Sequence, residues 1–288
     1  MNSIRRTLAP ALAGLSLMVS LPAWSGPIFL TGHDPDFHAQ SSVGAQNLLR
    51  AGLGFATGGA YANSARKFLW VESFLAPTAG HLRGEDGLNA IGLTLGVEYD
   101  WVNASGLATV DFSQYEAIGV ASSFGGMLTR AELDGLIARS ADIAAFVNAG
   151  GGLMALSECA PRSGFCLDDT LGTNPSLFGF LPVAVTSVNT AAPYSLTSAG
   201  AAMFPTLTNS DMNDPTHNSF GAVGGLTVVD TDAAGIATTL AGNVTIRPGG
   251  FVPEPGSLAL VALGLLGLGA GQGRKRGQSR PGLLRPAS

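Results

Sequence analysis

Between residues 27 and 158, short apolar runs alternate with segments of helical period. The runs are Pro27-Ile28-Phe29-Leu30-Thr31, Phe68-Leu69-Trp70-Val71, 97–102, 117–121 and Leu153-Met154-Ala155-Leu156, and they are mostly without in–out alternation. Strands with no polar side are covered on both faces, so the pattern predicts a parallel sheet with helices above and below. Helical spacing runs through 42–51, with Val43, Ala45, Leu48 and Leu49 toward the core, and through 88–95. The strongest helix is 129–148. Thr129 and Glu132 form a capping box, and Asn148-Ala149-Gly150 closes the helix. The second half is less regular and β-rich. A strand at 183–185, a helix at 198–204 and a strand pair at 226–230 and 236–240 are expected, with a polar loop at 211–219.

The two ends read as addresses. Residues 1–25 carry Arg5-Arg6, an apolar run and Ala23-Trp24-Ser25, the three parts of a secretory signal peptide. That predicts export through the Sec translocon and cleavage by signal peptidase. Near the other end stand Val252, Pro253, Glu254 and Pro255, then thirteen apolar or glycine residues at 258–270, then Arg274, Lys275 and Arg276. Thirteen helical residues span about 20 Å, while a bilayer core of about 30 Å needs about 20 residues. A membrane segment at about 257–273 is therefore a short, weak anchor, oriented by the cations that follow it. Residues 243–251 read as a linker and 277–288 as a disordered tail. The order Pro-Glu-Pro, apolar span, basic cluster over 252–276 resembles the PEP-CTERM sorting signal of Gram-negative bacteria that make exopolysaccharide. The resemblance implies an exosortase as partner and a transient inner-membrane intermediate. It also implies a final place at the cell surface or outside the cell, with exopolysaccharide as a further partner.

Charge narrows the partners. Residues 26–252 hold eight basic and nineteen acidic side chains, while five cations lie in the tail beyond them. An acidic body repels phosphate backbones, which excludes nucleic acid. Cys159 and Cys166 are the only cysteines. An oxidising compartment suits a disulfide across this short loop; a catalytic thiol and two buried thiols are the other readings.

The unit 115–120, the capped helix, the run 147–156 with its three glycines, and His217 together resemble a class I glutamine-amidotransferase-like fold, most closely its ThuA-like branch. The likeness covers residues 27–240 and implies an α/β, flavodoxin-like parallel sheet with helices on both faces for a domain at 26–242. It also implies a nucleophile elbow after the central strand. Here that segment is Ala155-Leu156-Ser157-Glu158-Cys159, with serine in the nucleophile slot and neither flanking glycine. Glutaminase chemistry is not expected.

Ligands of open α/β sheets bind at the carboxyl ends of the strands. The loop 32–38 should lie there, and its His33, Asp34, Asp36 and His38 combine nitrogen and oxygen donors suited to a divalent metal or another ligand. A solvated turn in which Asp34 or Asp36 caps the next helix is the plainer reading. Ser157 with His217 or His33 as base would make a hydrolase, against an ordinary strand-end hydroxyl. The loop 211–219 offers oxygen ligands without an EF-hand pattern, and 122–126 offers backbone N–H groups to an anion. Three functions remain in view: an exported envelope or matrix protein with a non-catalytic ligand- or partner-binding domain, a secreted hydrolase using His33, Ser157 and His217, and a purely structural biofilm component.

Overall fold

Which neighbour each apolar run finds sets the architecture. The computed structural model describes residues 25–62, 65–76, 83–123, 128–156, 178–181, 185–213, 216–247 and 250–251. Residues 1–24 of the expected signal peptide, Ser157, Glu158, both cysteines, residues 124–126 and everything from Val252 onward lie outside them.

Five strands are parallel: β1 (Pro27–Thr31), β2 (Phe68–Val71), β3 (Tyr99–Val102), β4 (Ala117–Val120) and β5 (Gly152–Ala155). They lie in the order β3-β2-β4-β5-β1. A flavodoxin-like sheet runs 2-1-3-4-5. Strands β2 to β5 fill the first four places of that order, but the outer place goes to β1, the first strand in the sequence. Later in the chain come β6 (Val185–Val188), β7 (Ser195–Leu196), β8 (Ser219–Val223), β9 (Thr227–Thr231) and β10 (Ala237–Asn243). The sheet turns antiparallel where β10 pairs with β1, from Pro27↔Asn243 to Thr31↔Thr239. Strand β10 also pairs with β9 and β8, β8 with β6, and β9 with β7. The result is a mixed ten-stranded sheet, which the strand pair expected at 226–230 and 236–240 joins as β9 and β10.

Both faces are covered, as the unalternated runs require. The register aligns Leu69, Ile118, Leu153 and Ile28 in one row across the sheet. That row packs beneath α4 (Ala104–Leu107), α5 (Arg130–Ala138) and α6 (Ser140–Asn148). The next row, Trp70, Gly119, Met154 and Phe29, faces the other way. It lies under α2 (Val43–Ala56), α3 (Gly84–Ala90), α7 (Ser198–Met203) and α8 (Asn209–Met212). Gly119 leaves room for the Trp70 ring, which a Cβ there would meet at 2.5 Å. The glycine run before β5 has three separate causes. Gly150 turns the chain at φ 101°, a Cβ on Gly151 would strike the Phe146 ring, and one on Gly152 would meet the Ala56 carbonyl at 1.7 Å.

Several expectations change. The loop after β1 contains a helical turn, α1 (Pro35–His38), with Pro35 at its first position. Val43 is 69% exposed and does not face the core; it follows the N-cap Ser42, whose hydroxyl accepts from the Ala45 N–H. The single helix 129–148 is two. The capping box at Thr129 and Glu132 is present, but the chain breaks at Arg139, whose guanidinium reaches the Leu107 and Val110 carbonyls and the Asp142 carboxylate. In the 211–219 loop, Asp211 belongs to α8 and closes a capping box with the N-cap Thr208, accepting from the Thr208 N–H and from the Asn47 amide. The start of the expected linker belongs to the folded body. Ile246 is buried, and its backbone makes two hydrogen bonds with the Asn148 amide, of 2.6 and 2.9 Å. Strand β11 (Ile246–Arg247) then pairs with β12 (Gly250–Phe251).

Ile246→Ala should therefore lower the unfolding free energy by about 2–5 kcal/mol, read as a reduced urea midpoint at unchanged slope. A linker residue would give no shift.

Candidate functional site

At the carboxyl edge of the sheet, the turn after β1 is pinned from two sides. The Gly32 N–H donates to the Thr238 carbonyl of β10, and the Gly32 carbonyl accepts from the His217 N–H at 2.9 Å. A Cβ on Gly32 would lie 1.7 Å from the Asn218 carbonyl oxygen, so only glycine permits this approach. The segment before β8 is thus held against the turn, and residues 183 positions apart become neighbours.

Six side chains meet at this junction. The His33 ring is buried, with Nε2 3.0 Å from Asp230 Oδ2 and Nδ1 2.6 Å from the Thr216 hydroxyl. A neutral imidazole satisfies both, donating to Asp230 and accepting from Thr216. Asp34 is buried, and its Oδ2 lies 3.0 Å from His217 Nε2 and 3.4 Å from His38 Nε2. Asp34 and His38 reach one another because α1 sets them one helical turn apart.

A second polar cluster lies deeper, at the point where the strand order reverses between β2 and β4. Asp36 is fully buried, and its carboxylate accepts from the Ser122 and Phe37 N–H groups. Glu72, the residue after β2, is also fully buried. It accepts from the Trp70 indole at 2.7 Å and from the Gly84 and Glu85 N–H groups at 3.0 Å, so it caps α3. Asp36 Oδ2 and Glu72 Oε2 both lie within 3.0 Å of the place a Cβ on Gly84 would occupy. Burial pushes the Asp36 carboxyl up to about 6, and the Asp34 charge adds to this. Burial pushes the Glu72 carboxyl up to about 8, with Asp36 adding to it and the indole and N–H donors opposing.

Of the residues singled out in the loop, Asp34 and His38 come together with His217. His33 and Asp36 are turned to other partners: Asp230 and Thr216 for the first, backbone N–H groups for the second. Ser157 lies outside the described residues; Leu156, just before it, is buried at the end of β5. Ser122, expected to offer its N–H to an anion, gives it to Asp36 instead. Glu72 and Asp230 escaped the sequence reading, although an acidic residue closing an apolar strand is the signal that finds both. A separate cavity of about 460 Å³ opens at the amino edge, but Arg66 and Arg139 on its wall are bound to backbone carbonyls.

Residues 251–275 match the family model of the PEP-CTERM protein-sorting motif. The tail carries a sorting signal. It is the signal of exported, surface-directed proteins that an exosortase processes. No curated protein matches the chain, and no solved structure does, so the amidotransferase likeness rests only on the residues quoted for it. Among the described residues no helix is long and apolar enough to cross a membrane; the expected span at about 257–273 lies outside them.

Glu72 sets a pH dependence. Its folded pKa of about 8 stands above the ordinary 4.5, so in that window the folded chain keeps a proton that the unfolded chain has lost. Stability should fall as pH rises from 4.5 toward 8. Glu72→Gln should flatten that slope, even with a lower absolute stability, in urea titrations across the same pH range.

Proposed function

We propose that this chain is an exported cell-envelope or extracellular-matrix protein, sorted by an exosortase-type system, whose α/β domain binds a ligand or partner at the carboxyl edge of its sheet. The sorting motif supports the first half. The second half is carried by one observation: the polar groups at that edge are buried and held in place by further side chains and backbone donors. Rigid support of this kind is what a binding site requires. Structural needs alone do not call for Asp34 and Asp230, each buried with one carboxylate oxygen that has no hydrogen-bond partner among the described residues, since an unpaired buried polar atom is costly.

A hydrolase is the second reading, and the pairing of His217 with Asp34 favours it, since a carboxylate that orients an imidazole makes a general base. His33 cannot serve there, because both of its ring nitrogens are engaged. The elbow around Ser157 also lacks the glycines that let a nucleophile stand clear of its strand. A fluorophosphonate probe should therefore leave Ser157 unlabelled; labelling that Ser157→Ala abolishes would establish the hydrolase instead.

Deleting residues 252–276 should leave more protein processed in the periplasm and fewer copies displayed outside, scored by fractionation and surface labelling of the native host. Unchanged display would refute the sorting role.

A further inference from the structure

Three of the chain's four histidines stand at the carboxyl edge, and two of them flank a single carboxylate. One donor atom from each of Asp34, His38 and His217 can be chosen so that all lie within 4.8 Å of one another. The separations from Asp34 Oδ2 are 3.0 Å to His217 Nε2 and 3.4 Å to His38 Nε2. Ligand atoms about 2.1 Å from a metal lie about 3.0 Å apart at a right angle and about 3.4 Å apart at a tetrahedral one. The spacing is that of donors around one ion.

A second observation does not depend on spacing. Asp34 Oδ1 is buried and has no hydrogen-bond partner among the described residues. A buried carboxylate oxygen left without a donor is costly, and a cation removes the cost. The site is also graded in access: the Asp34 side chain is sealed, while those of His38 and His217 are 20% and 13% exposed. An ion can enter past the two rings and settle on the carboxylate.

We propose that Asp34, His38 and His217 bind a divalent first-row transition metal as a two-histidine, one-carboxylate site. Two imidazoles select such ions over magnesium and calcium, which take oxygen ligands. Three protein donors leave at least one position for water or for an oxygen of a bound partner. The site lies where the domain is read to bind its ligand and rests on that reading, while sorting plays no part in it.

The test uses the full chain, purified in detergent and stripped with a chelator. Titration with Co(II) and with Zn(II), followed by visible absorption and calorimetry, should show one ion per chain at this site, with no response to Mg(II) or Ca(II). His38→Gln and His217→Gln, confirmed as folded by circular dichroism, should each weaken binding by about 10-fold or more. Absence of saturable binding at millimolar metal, or binding unchanged in both variants, would overturn the proposal. If neither variant folds, the unaltered chain decides: stoichiometric Zn(II) should protect His38 and His217 from diethyl pyrocarbonate, and unprotected rings would overturn it equally. A chain that is displayed but binds no metal loses this site alone; a chain that binds metal but is not displayed loses only the sorting role.

Discussion

The antiparallel pairing of β10 with β1 is the constraint on which the site depends. Without it, the turn at Gly32 would have one neighbour, the parallel strand β5, and nothing would bring residues 216–218 across it. With it, the Gly32 backbone is bonded on both sides, and the Asn218 carbonyl fits into the space that a side chain on residue 32 would fill. The meeting of His217 with Asp34 follows from backbone geometry. No attraction between the two side chains has to be strong enough to fold the chain around it.

The deeper carboxylates show a different balance. Glu72 and Asp36 gain from the N–H groups around them and lose from dehydration and from one another. Their raised pKa values say that the losses are larger. Such a pair persists only where the surroundings are fixed by other forces, here the apolar packing of Trp70 over Gly119 and of α3 against α1, where a Cβ on Gly87 would lie 2.1 Å from the Asp36 carbonyl oxygen. The core holds the site; the site does not hold the core.

Much of the parallel half was legible because its signals are local. The runs 27–31 and 68–71 need only their own composition to be read as strands, and Thr129 with Glu132 announces a helix start. What was not legible depends on partners far along the chain. Nothing near Arg139 says that its guanidinium will find the carbonyls of Leu107 and Val110 and end the first helix. Nothing near Ile246 says that the Asn148 amide waits for its backbone. The place of β1 at the outside of the parallel strands is likewise a matter of β10, more than 200 residues on. At the candidate site, the composition of 32–38 drew attention to this loop, and His217 was in view. Which of the four loop residues would meet His217 depended on the helical turn that begins at Pro35 and sets His38 one turn from Asp34.

The pairing of β11 with β12 reaches beyond the fold. The register Ile246↔Phe251 brings Phe251 back beside a residue anchored in the core. From Phe251 to Pro253 is two residues, at most about 7 Å of extended chain. The matched sorting motif, which begins at residue 251, is thus joined to the globular body with no spacer between them.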